Sequence, residues 1–283
     1  MNNYIKLPMS VLIMTQNEQE NVRYAIESVV NSFSQIIVAD SFSTDKTLEI
    51  LKGYPGVNIY NHKFENWADQ RNWMLENCDI QNEKVLFLDA DEHLTPAFIS
   101  ELKGILDSGV DFSSILITPK FIFMESWLRY AYGHPKIKRV FSRSVRFLSS
   151  GAREYAVIAS PSLELQSPII HRDRKPLSAW IAKHGNNARR EAIYYLEREI
   201  KGIDINNAPV ANMLKAKLWV RHNIWNKLPL FVRPLFYFVY RYFFSLGFLD
   251  GRVGFLYCFL HALWYPMLID ATIFEMQQSK NKN

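Results

Sequence analysis

Short apolar runs alternate with amphipathic segments over residues 1–120 of the chain. The runs are typical of strands buried on both faces, since polar residues rarely interrupt them. They lie at residues 10–15, 35–40, 57–60, 84–89 and 114–118. Asn17, Ser43 or Thr44, and Thr95 stand where the N-caps of the intervening helices are expected. The alternation predicts an α/β fold with a mostly parallel sheet and helices on both faces.

Polar side chains follow three of these predicted strands. Thr15 ends the first, Asp40 the second, and Asp89 and Asp91 close the fourth. Right-handed crossovers place these ends at one edge of the sheet, where open α/β sheets bind their ligands. Two carboxylates at i and i+2 can both reach a divalent cation and the phosphates that it carries. No G-x-G-x-x-G or G-x-x-x-x-G-K-[ST] occurs, so we expect a metal and cationic side chains to hold phosphate groups.

Aromatic and aliphatic residues crowd the segment 219–274, which also carries Arg233, Arg241 and Arg252. The longest stretch without Asp, Glu, Lys or Arg runs from Val253 to Ile269 and is barely long enough to cross a bilayer. Spaced arginines beside Trp and Tyr favour helices that lie in the membrane interface. A true span or re-entrant hairpin, and a soluble core or dimer surface, are the alternatives.

Composition narrows the classes of partner. The 283 residues are 48% hydrophobic and 22% charged, with a formal net charge of +5, which indicates a globular protein with anionic partners. No RRM, KH or zinc-finger pattern occurs, so we expect no nucleic-acid partner. Cys78 and Cys258 are the only cysteines, which favours a reducing, cytoplasmic setting. Residues 1–8 lack an apolar h-region, so we expect no signal peptide.

Four segments, in this order and spacing, make the sequence resemble the family 2 glycosyltransferases, which are inverting enzymes with the GT-A fold. The segments are Val11–Glu18, Val38–Thr47, Ala68–Asn72 and Leu86–Glu92. More narrowly, the chain looks like the bacterial lipopolysaccharide-core β-glucosyltransferase branch. The matching features there are Trp127, the basic segment 135–143, Ile170–His171 and Gly247–Arg252.

The resemblance implies that a nucleotide sugar binds at the carboxyl edge of the sheet. The positions that match its nucleotide site are Thr15, Asn17, Glu18, Asp40, Arg71 and Asp89. By the same resemblance Asp89 lies towards the ribose and Asp91 towards a divalent metal, Mg²⁺ or Mn²⁺. Such a metal bridges the diphosphate and stabilises the leaving UDP.

The resemblance also implies a general base that takes the proton of the acceptor hydroxyl. The branch often has a His-Glu pair, but this chain has Arg153-Glu154, so Glu154 is the candidate, with a pKa that the neighbouring arginine would lower. Possible acceptor or phosphate contacts are Trp127, Arg139, Arg143 and His171.

These features predict transfer of a hexose, most simply glucose from UDP-glucose, to a lipid-linked glycan such as lipopolysaccharide core. The alternatives are a polyprenyl phosphate or capsule or protein-glycan acceptor, or a non-catalytic nucleotide-sugar-binding membrane module. We expect attachment to anionic lipid at the cytoplasmic face of the bacterial inner membrane, as a peripheral or monotopic protein. The expected parts are a donor half (1–120), an acceptor-side part (121–215), a membrane-associating helical region (216–276) and a disordered tail (277–283).

Overall fold

Strands and helices alternate along the first half of the chain, as the apolar pattern predicts. The computed structural model describes residues 6–150, 153–158, 162–201 and 225–280. The strands are β1 (Leu7–Thr15), β2 (Phe33–Asp40), β3 (Val57–Asn61), β4 (Lys84–Asp89), β5 (Glu92–His93), β6 (Ser114–Ile117), β7 (Lys120–Phe123), β8 (Ser126–Trp127), β9 (Ile137–Ser142), β10 (Arg146–Ser150), β11 (Arg153–Val157), β12 (Ser162–Glu164) and β13 (Ile170–Arg172). The first five helices are α1 (Val22–Glu27), α2 (Thr47–Lys52), α3 (Trp67–Asn77), α4 (Pro96–Asp107) and α5 (Leu177–Lys201).

The chain divides into two compact units. The first unit consists of residues 1–127, 134–148 and 158–175, and the second of residues 128–133, 149–157 and 176–283. The four-part division expected from the sequence stays a prediction, and its boundary at residue 215 lies outside the described residues. The last helix continues to Lys280, past the expected start of the tail at residue 277, and residues 281–283 lie outside the described residues.

The first unit is built on a mixed, mostly parallel sheet of seven strands. Their order is β12-β6-β9-β4-β1-β2-β3, with β9 antiparallel to both of its neighbours. Parallel pairing sets Thr15 opposite Asp40 and Met14 opposite Asp89. The ends of β1, β2 and β4 therefore meet at one edge, as the crossover rule predicts.

A smaller sheet of four strands adjoins the acidic end of β4. Its order is β5-β13-β7-β8, and β13 pairs antiparallel with β5. This pairing sets His171 opposite Glu92, although the two residues are far apart in the chain.

The helix starts in the first unit agree only partly with the predicted caps. Thr95 caps α4 as predicted, because its side chain accepts a hydrogen bond from Phe98 N at 3.1 Å. The cap expected at Asn17 is wrong, since α1 begins only at Val22. Asn17 has a φ of +54° and its Oδ1 accepts from Thr44 N at 2.8 Å. Asn17 and Thr44 therefore connect two loops at the sheet edge and do not cap helices.

The second unit is mainly helical in its described part, which also includes β11, and it has a core of its own. Ala192 and Leu196 of α5 pack against Ile273 of the last helix. The remaining helical segments are the 3₁₀ turns Trp225–Lys227 and Gly247–Asp250, the π-helical turns Tyr240–Phe244 and Phe259–Trp264, and the α-helices Arg233–Val239, Gly251–Cys258 and Tyr265–Lys280. Arg233 and Asp270 form an almost fully buried ion pair between two of these helices.

Many large apolar side chains of the second unit are exposed between residues 235 and 259. We call them the aromatic surface: Leu235, Phe236, Val239, Tyr240, Phe243, Phe244, Phe248, Leu249, Phe255 and Phe259. Ring contacts of Tyr242 with Phe243, Phe248 and Phe255 show that part of this set is contiguous. By length and apolar composition, Gly247–Ser279 is a candidate membrane-associating helix, although part of it is buried inside the protein.

Candidate active site

Asp40 is fixed at the centre of the sheet edge. Its side chain is fully buried, and its Oδ1 accepts a hydrogen bond from Thr15 Oγ1 at 2.9 Å. The Ser43 backbone N–H donates to the other carboxylate oxygen at 2.7 Å, and the Ser43 hydroxyl donates to Oδ1 at 2.6 Å. A buried carboxylate with several donors stays in one position. Thr15 and Asp40, separate in the sequence, therefore form one rigid element.

Glu18 lies on the same edge and has charged neighbours. Lys175 Nζ donates to its Oε1 at 2.6 Å, and Asn21 Nδ2 donates to its Oε2 at 2.8 Å. Burial raises the pKa of Glu18, Lys175 opposes this effect, and the negative charge of Asp91 adds to it. Glu18 and Asp91 thus lie close enough to repel one another.

Asp89 is held by two arginines. Arg71 Nη2 lies 3.4 Å from Asp89 Oδ1, and the Arg139 guanidinium donates to the other carboxylate oxygen. Both arginine side chains are largely buried. Arg71 also stacks over the Phe87 ring, with Cζ 4.8 Å from the centroid. The structure therefore unites Asp89 with Arg71, a predicted nucleotide-site residue, and with Arg139, a predicted acceptor or phosphate contact.

Glu92, to which the sequence assigns no role, is the most buried acid of this motif. Its Oε1 accepts from Arg139 Nη2 at 2.6 Å, and its Oε2 accepts from the Asp89 backbone N–H at 3.1 Å. Burial raises the pKa of Glu92, whereas the Arg139 charge opposes the rise. The only sequence signal was a third acid directly after the D-x-D pattern.

His171 completes the group that we call the acid cluster: Asp89, Asp91, Glu92, Arg71, Arg139 and His171. Its Nε2 lies 3.4 Å from Asp91 Oδ2, and its Nδ1 lies 4.0 Å from Glu92 Oε1. Burial by itself lowers the pKa of His171, but the charges of Asp91, Glu92 and Asp89 outweigh it and raise the pKa to about 9. Three carboxylates thus face two guanidinium groups and one imidazole.

The donor atoms of Asp91 and His171 suit a divalent metal. A carboxylate oxygen and an imidazole nitrogen 3.4 Å apart are both ligands that Mn²⁺ accepts. Among the described residues no group of three or more His, Cys, Asp or Glu side chains is arranged around one metal position. A metal held here would take its other ligands from phosphate oxygens and water.

The other candidate residues are spread more widely. Arg143 Nη1 donates to the Ile80 carbonyl at 2.7 Å, next to the start of β4 and thus at the opposite end of that strand from Asp89. Because β9 runs antiparallel to β4, Arg139 and Arg143 lie near different ends of the strand. Trp127 is 39% exposed and lies under Lys120 Nζ, 4.5 Å from the ring centroid. Glu154 is a half-buried residue of β11 in the second unit.

Comparison with known proteins agrees with this geometry. A family model described as "Glycosyl transferase family 2" matches residues 10–153 of the 283. The match covers half of the chain and all of the donor-side residues named above, so the chain belongs to glycosyl transferase family 2. Its mixed, mostly parallel sheet is the GT-A fold.

Individual relatives are distant. The SPbeta prophage-derived glycosyltransferase SunS of Bacillus subtilis is 37% identical over 84 residues, which are 28% of this chain and 19% of SunS. An uncharacterized glycosyltransferase of Rickettsia bellii is 32% identical over 108 residues, 38% of this chain and 36% of that protein. The crystal structure of S. aureus TarS 1–349 in complex with UDP-GlcNAc has a TM-score of 0.50 at 15% identity, and the superposition covers 96% of this chain and 92% of TarS 1–349. The likeness to TarS shows the fold alone.

Proposed function

We propose that the protein transfers a hexose from a UDP-sugar to a hydroxyl of a lipid-linked glycan in a single inverting displacement. The observation that carries the proposal is the acid cluster at the carboxyl edge of the sheet, beside the rigid Thr15–Asp40 pair. TarS, which shares the fold, was crystallised with UDP-GlcNAc. The narrower proposal of glucose and lipopolysaccharide core rests on the sequence resemblance.

In this proposal the nucleoside of the donor binds beside Thr15, Asp40 and Arg71. Asn17 and Glu18 flank the pocket, and Asp89 lies towards the ribose. The arginines that hold Asp89 fix its carboxylate in one orientation, in which it can accept hydrogen bonds from ribose hydroxyls. This preorganisation lowers the entropy that the donor site loses on binding.

Asp91 and His171 would hold the divalent metal, Mg²⁺ or Mn²⁺, on the diphosphate side of the site. When bound, the metal supplies positive charge that stabilises the departing UDP. Glu92 faces the other ring nitrogen of His171 and would keep the imidazole turned towards Asp91. Arg139, buried between Asp89 and Glu92, adds fixed positive charge close to the same place.

Glu154 is the proposed general base. Its role rests on the sequence resemblance, and its half-buried position on β11 would favour a defined orientation. Replacement of Glu154 by Gln would remove proton abstraction while keeping the shape of the side chain. We expect turnover to fall by about 100-fold or more, with binding of the UDP-sugar retained. Full activity of Glu154→Gln would show that another group is the base.

We propose that the acceptor is anchored in the membrane and that its contacts include Trp127 and Arg139. Arg143 lies at the other end of β4 and is not among the proposed contacts. The aromatic surface supplies apolar side chains, and Asp250 is the only acid among residues 225–264, beside four lysine or arginine residues. Such a surface fits the interface of an anionic membrane, here proposed as the cytoplasmic face of the inner membrane.

We favour attachment in the interface over a span. The last helix, Tyr265–Lys280, packs on α5, which exposes Lys183, Arg189 and Arg190. A helix that crossed the bilayer along Gly247–Ser279 would take the charged α5 into the lipid, at a large cost in desolvation.

The proposed reaction is tested by a screen of nucleotide sugars against lipid-linked acceptors, with the products detected by mass spectrometry. The expected result is a hexose adduct that forms from a UDP-sugar with Mn²⁺ or Mg²⁺ and is lost with a chelator. A polyprenyl phosphate adduct would change the acceptor but keep the donor chemistry. Absence of both transfer and hydrolysis with every UDP-sugar would overturn the proposal.

A further inference from the structure

The segment Gly247–Gly254 is wound unusually tightly. Leu246 has a φ of +59° and Gly251 a φ of +64°. A Cβ atom at Gly247 would lie 2.8 Å from the Arg241 carbonyl oxygen. A Cβ at Gly254 would lie 2.3 Å from the carbonyl oxygen of Gly247. Side chains are therefore excluded at two of these positions, and the turn that precedes Gly251–Cys258 has one fixed shape.

This fixed turn presents the Asp250 carboxylate to a loop of the same unit, Leu128–Gly133. The carboxylate accepts hydrogen bonds from three consecutive backbone N–H groups: Arg129 at 3.0 Å, Tyr130 at 2.9 Å and Ala131 at 2.8 Å. Successive backbone N–H groups that converge on one anion form a strong, directional contact. One side chain thus fixes the backbone of three consecutive residues in the middle of the loop.

Arg241 holds the same loop from its carbonyl side. Its guanidinium donates to the Ala131 carbonyl. Gly133 has a φ of +82°, and a Cβ there would lie 3.0 Å from Arg241 Nη1. The Tyr132 ring meets the Tyr257 ring edge-on at a centroid distance of 6.3 Å. Three residues of the C-terminal helical region therefore fix the loop.

Some side chains of the loop are buried and others are exposed to solvent. Leu128 and Ala131 are buried, whereas Arg129 and Tyr130 are exposed. The loop follows Trp127 directly in the chain. A backbone that is held so firmly while its cationic and aromatic side chains face solvent is better suited to binding a ligand than to packing.

We propose that Asp250 is a positioning residue for acceptor binding: it fixes the loop so that Arg129 and Tyr130 contact an anionic, phosphate- or carboxylate-bearing part of the glycan acceptor. A guanidinium matches such groups with paired hydrogen bonds, and the tyrosine ring adds a flat face for sugar. The inference rests on the proposed function for the identity of the acceptor. It assigns the C-terminal region a second task besides membrane attachment.

Limited proteolysis tests the positioning without any activity. Trypsin cleaves after Arg129, and the N–H of that bond is one of the three that Asp250 holds. We expect cleavage at Arg129 to be roughly tenfold faster in Asp250→Ala than in the wild type, because cleavage follows local opening. Glu101→Gln is a matched control, since Glu101 accepts the N–H groups of Gln166 and Ser167 at 2.9 and 2.8 Å. Equal cleavage at Arg129 in all three proteins would overturn the proposal.

Kinetics tests the consequence for the acceptor, with lipopolysaccharide truncated to its inner core as the probe. We expect the KM for this acceptor to rise about tenfold in Asp250→Ala and in Arg129→Ala, with donor KM and UDP-sugar hydrolysis unchanged. Because Arg129 is exposed, its variant keeps the test open if Asp250→Ala does not fold. A parallel rise in donor KM, or an unchanged acceptor KM in Arg129→Ala, would refute the role. Absence of any donor hydrolysis in the wild type would instead count against the proposed reaction and leave the proteolysis result standing.

Discussion

The acid cluster of the first unit buries charged side chains, whereas the aromatic surface of the second unit exposes apolar side chains. In the cluster, Glu92 is fully buried and has a cationic partner in Arg139. On the surface, Phe236 and Phe244 are 62% and 75% exposed. Burying charge and exposing apolar area are both unfavourable unless a function or a partner compensates for them. The difference fits the proposal that donor chemistry takes place in one unit and contact with a lipid partner in the other.

The largest effect is expected at Asp91. If the acid cluster only stabilised the fold, the contrast drawn above between the acid cluster and the aromatic surface would not reflect a division of function. Asp91→Asn should lower kcat/KM by about 100-fold or more, because charge stabilisation of the leaving group is lost. UDP release from the UDP-sugar measures this. Asp111→Asn is the control, because the Asp111 side chain is 92% exposed and its partner Lys84 lies at the other end of β4. Metal-independent, undiminished turnover of Asp91→Asn would contradict the proposed metal role.

A second test examines whether the helical part of the second unit is folded around a core of its own or serves only to attach the protein to a membrane. Asp270 accepts from Arg233 Nε at 2.9 Å and from the Phe231 N–H at 2.8 Å, and its side chain is 1% exposed. Asp270→Asn leaves the buried guanidinium without its counter-charge, so we expect a loss of about 3 kcal/mol in the free energy of unfolding. Thermal denaturation in detergent measures the loss. A melting temperature equal to that of the wild type would mean that this core does not stabilise the unit.

The membrane contact should depend on the aromatic surface and not on the last helix. Phe244→Ser should weaken binding to vesicles that contain anionic lipid by about 30-fold, since burial of one phenylalanine side chain contributes ~2 kcal/mol. Phe274→Ser is the matched control, because Phe274 is 48% exposed on Tyr265–Lys280. Vesicle flotation measures both. A larger loss for Phe274→Ser would favour a span, and unchanged flotation with loss of dimers would identify the surface as an interface between copies.

The smallest effect concerns the loops beside the donor site. Burial by itself raises the pKa of Asp45, but hydrogen bonds from Thr47 and from the Gln19 N–H outweigh it and lower the pKa. A depressed carboxyl pKa contributes stability that is present above the unfolded value and is lost as the pH falls through the folded value. Asp45→Asn should therefore cost ~1 kcal/mol at neutral pH and nothing in acid below the folded pKa. Melting temperatures of the wild type and of Asp45→Asn, measured from neutral pH to acid below the folded pKa, test this prediction. A difference in melting temperature that does not change with pH would contradict the lowered pKa of Asp45.

Much of the first unit was predictable because its signals are local. Uninterrupted apolar runs gave β1, β2 and β4, and Pro96 after Thr95 marked the start of α4. The cap predicted at Asn17 was wrong, because the same side chain bonds to Thr44 across the sheet edge. The part played by Glu92 was not predictable, because its partner Arg139 arrives on β9, a strand distant in the sequence.

The sequence by itself determined the α/β architecture, the family and the strand-end residues Thr15, Asp40, Asp89 and Asp91, because period and spacing are properties of neighbouring residues. Only the tertiary structure decided which cations these acids meet. Antiparallel pairing of β9 with β4 brings Arg139 to Asp89 and carries Arg143 away, and pairing of β13 with β5 sets His171 beside Asp91. A one-residue change of register would reverse each of these side chains, so strand pairing and not residue type completes the site.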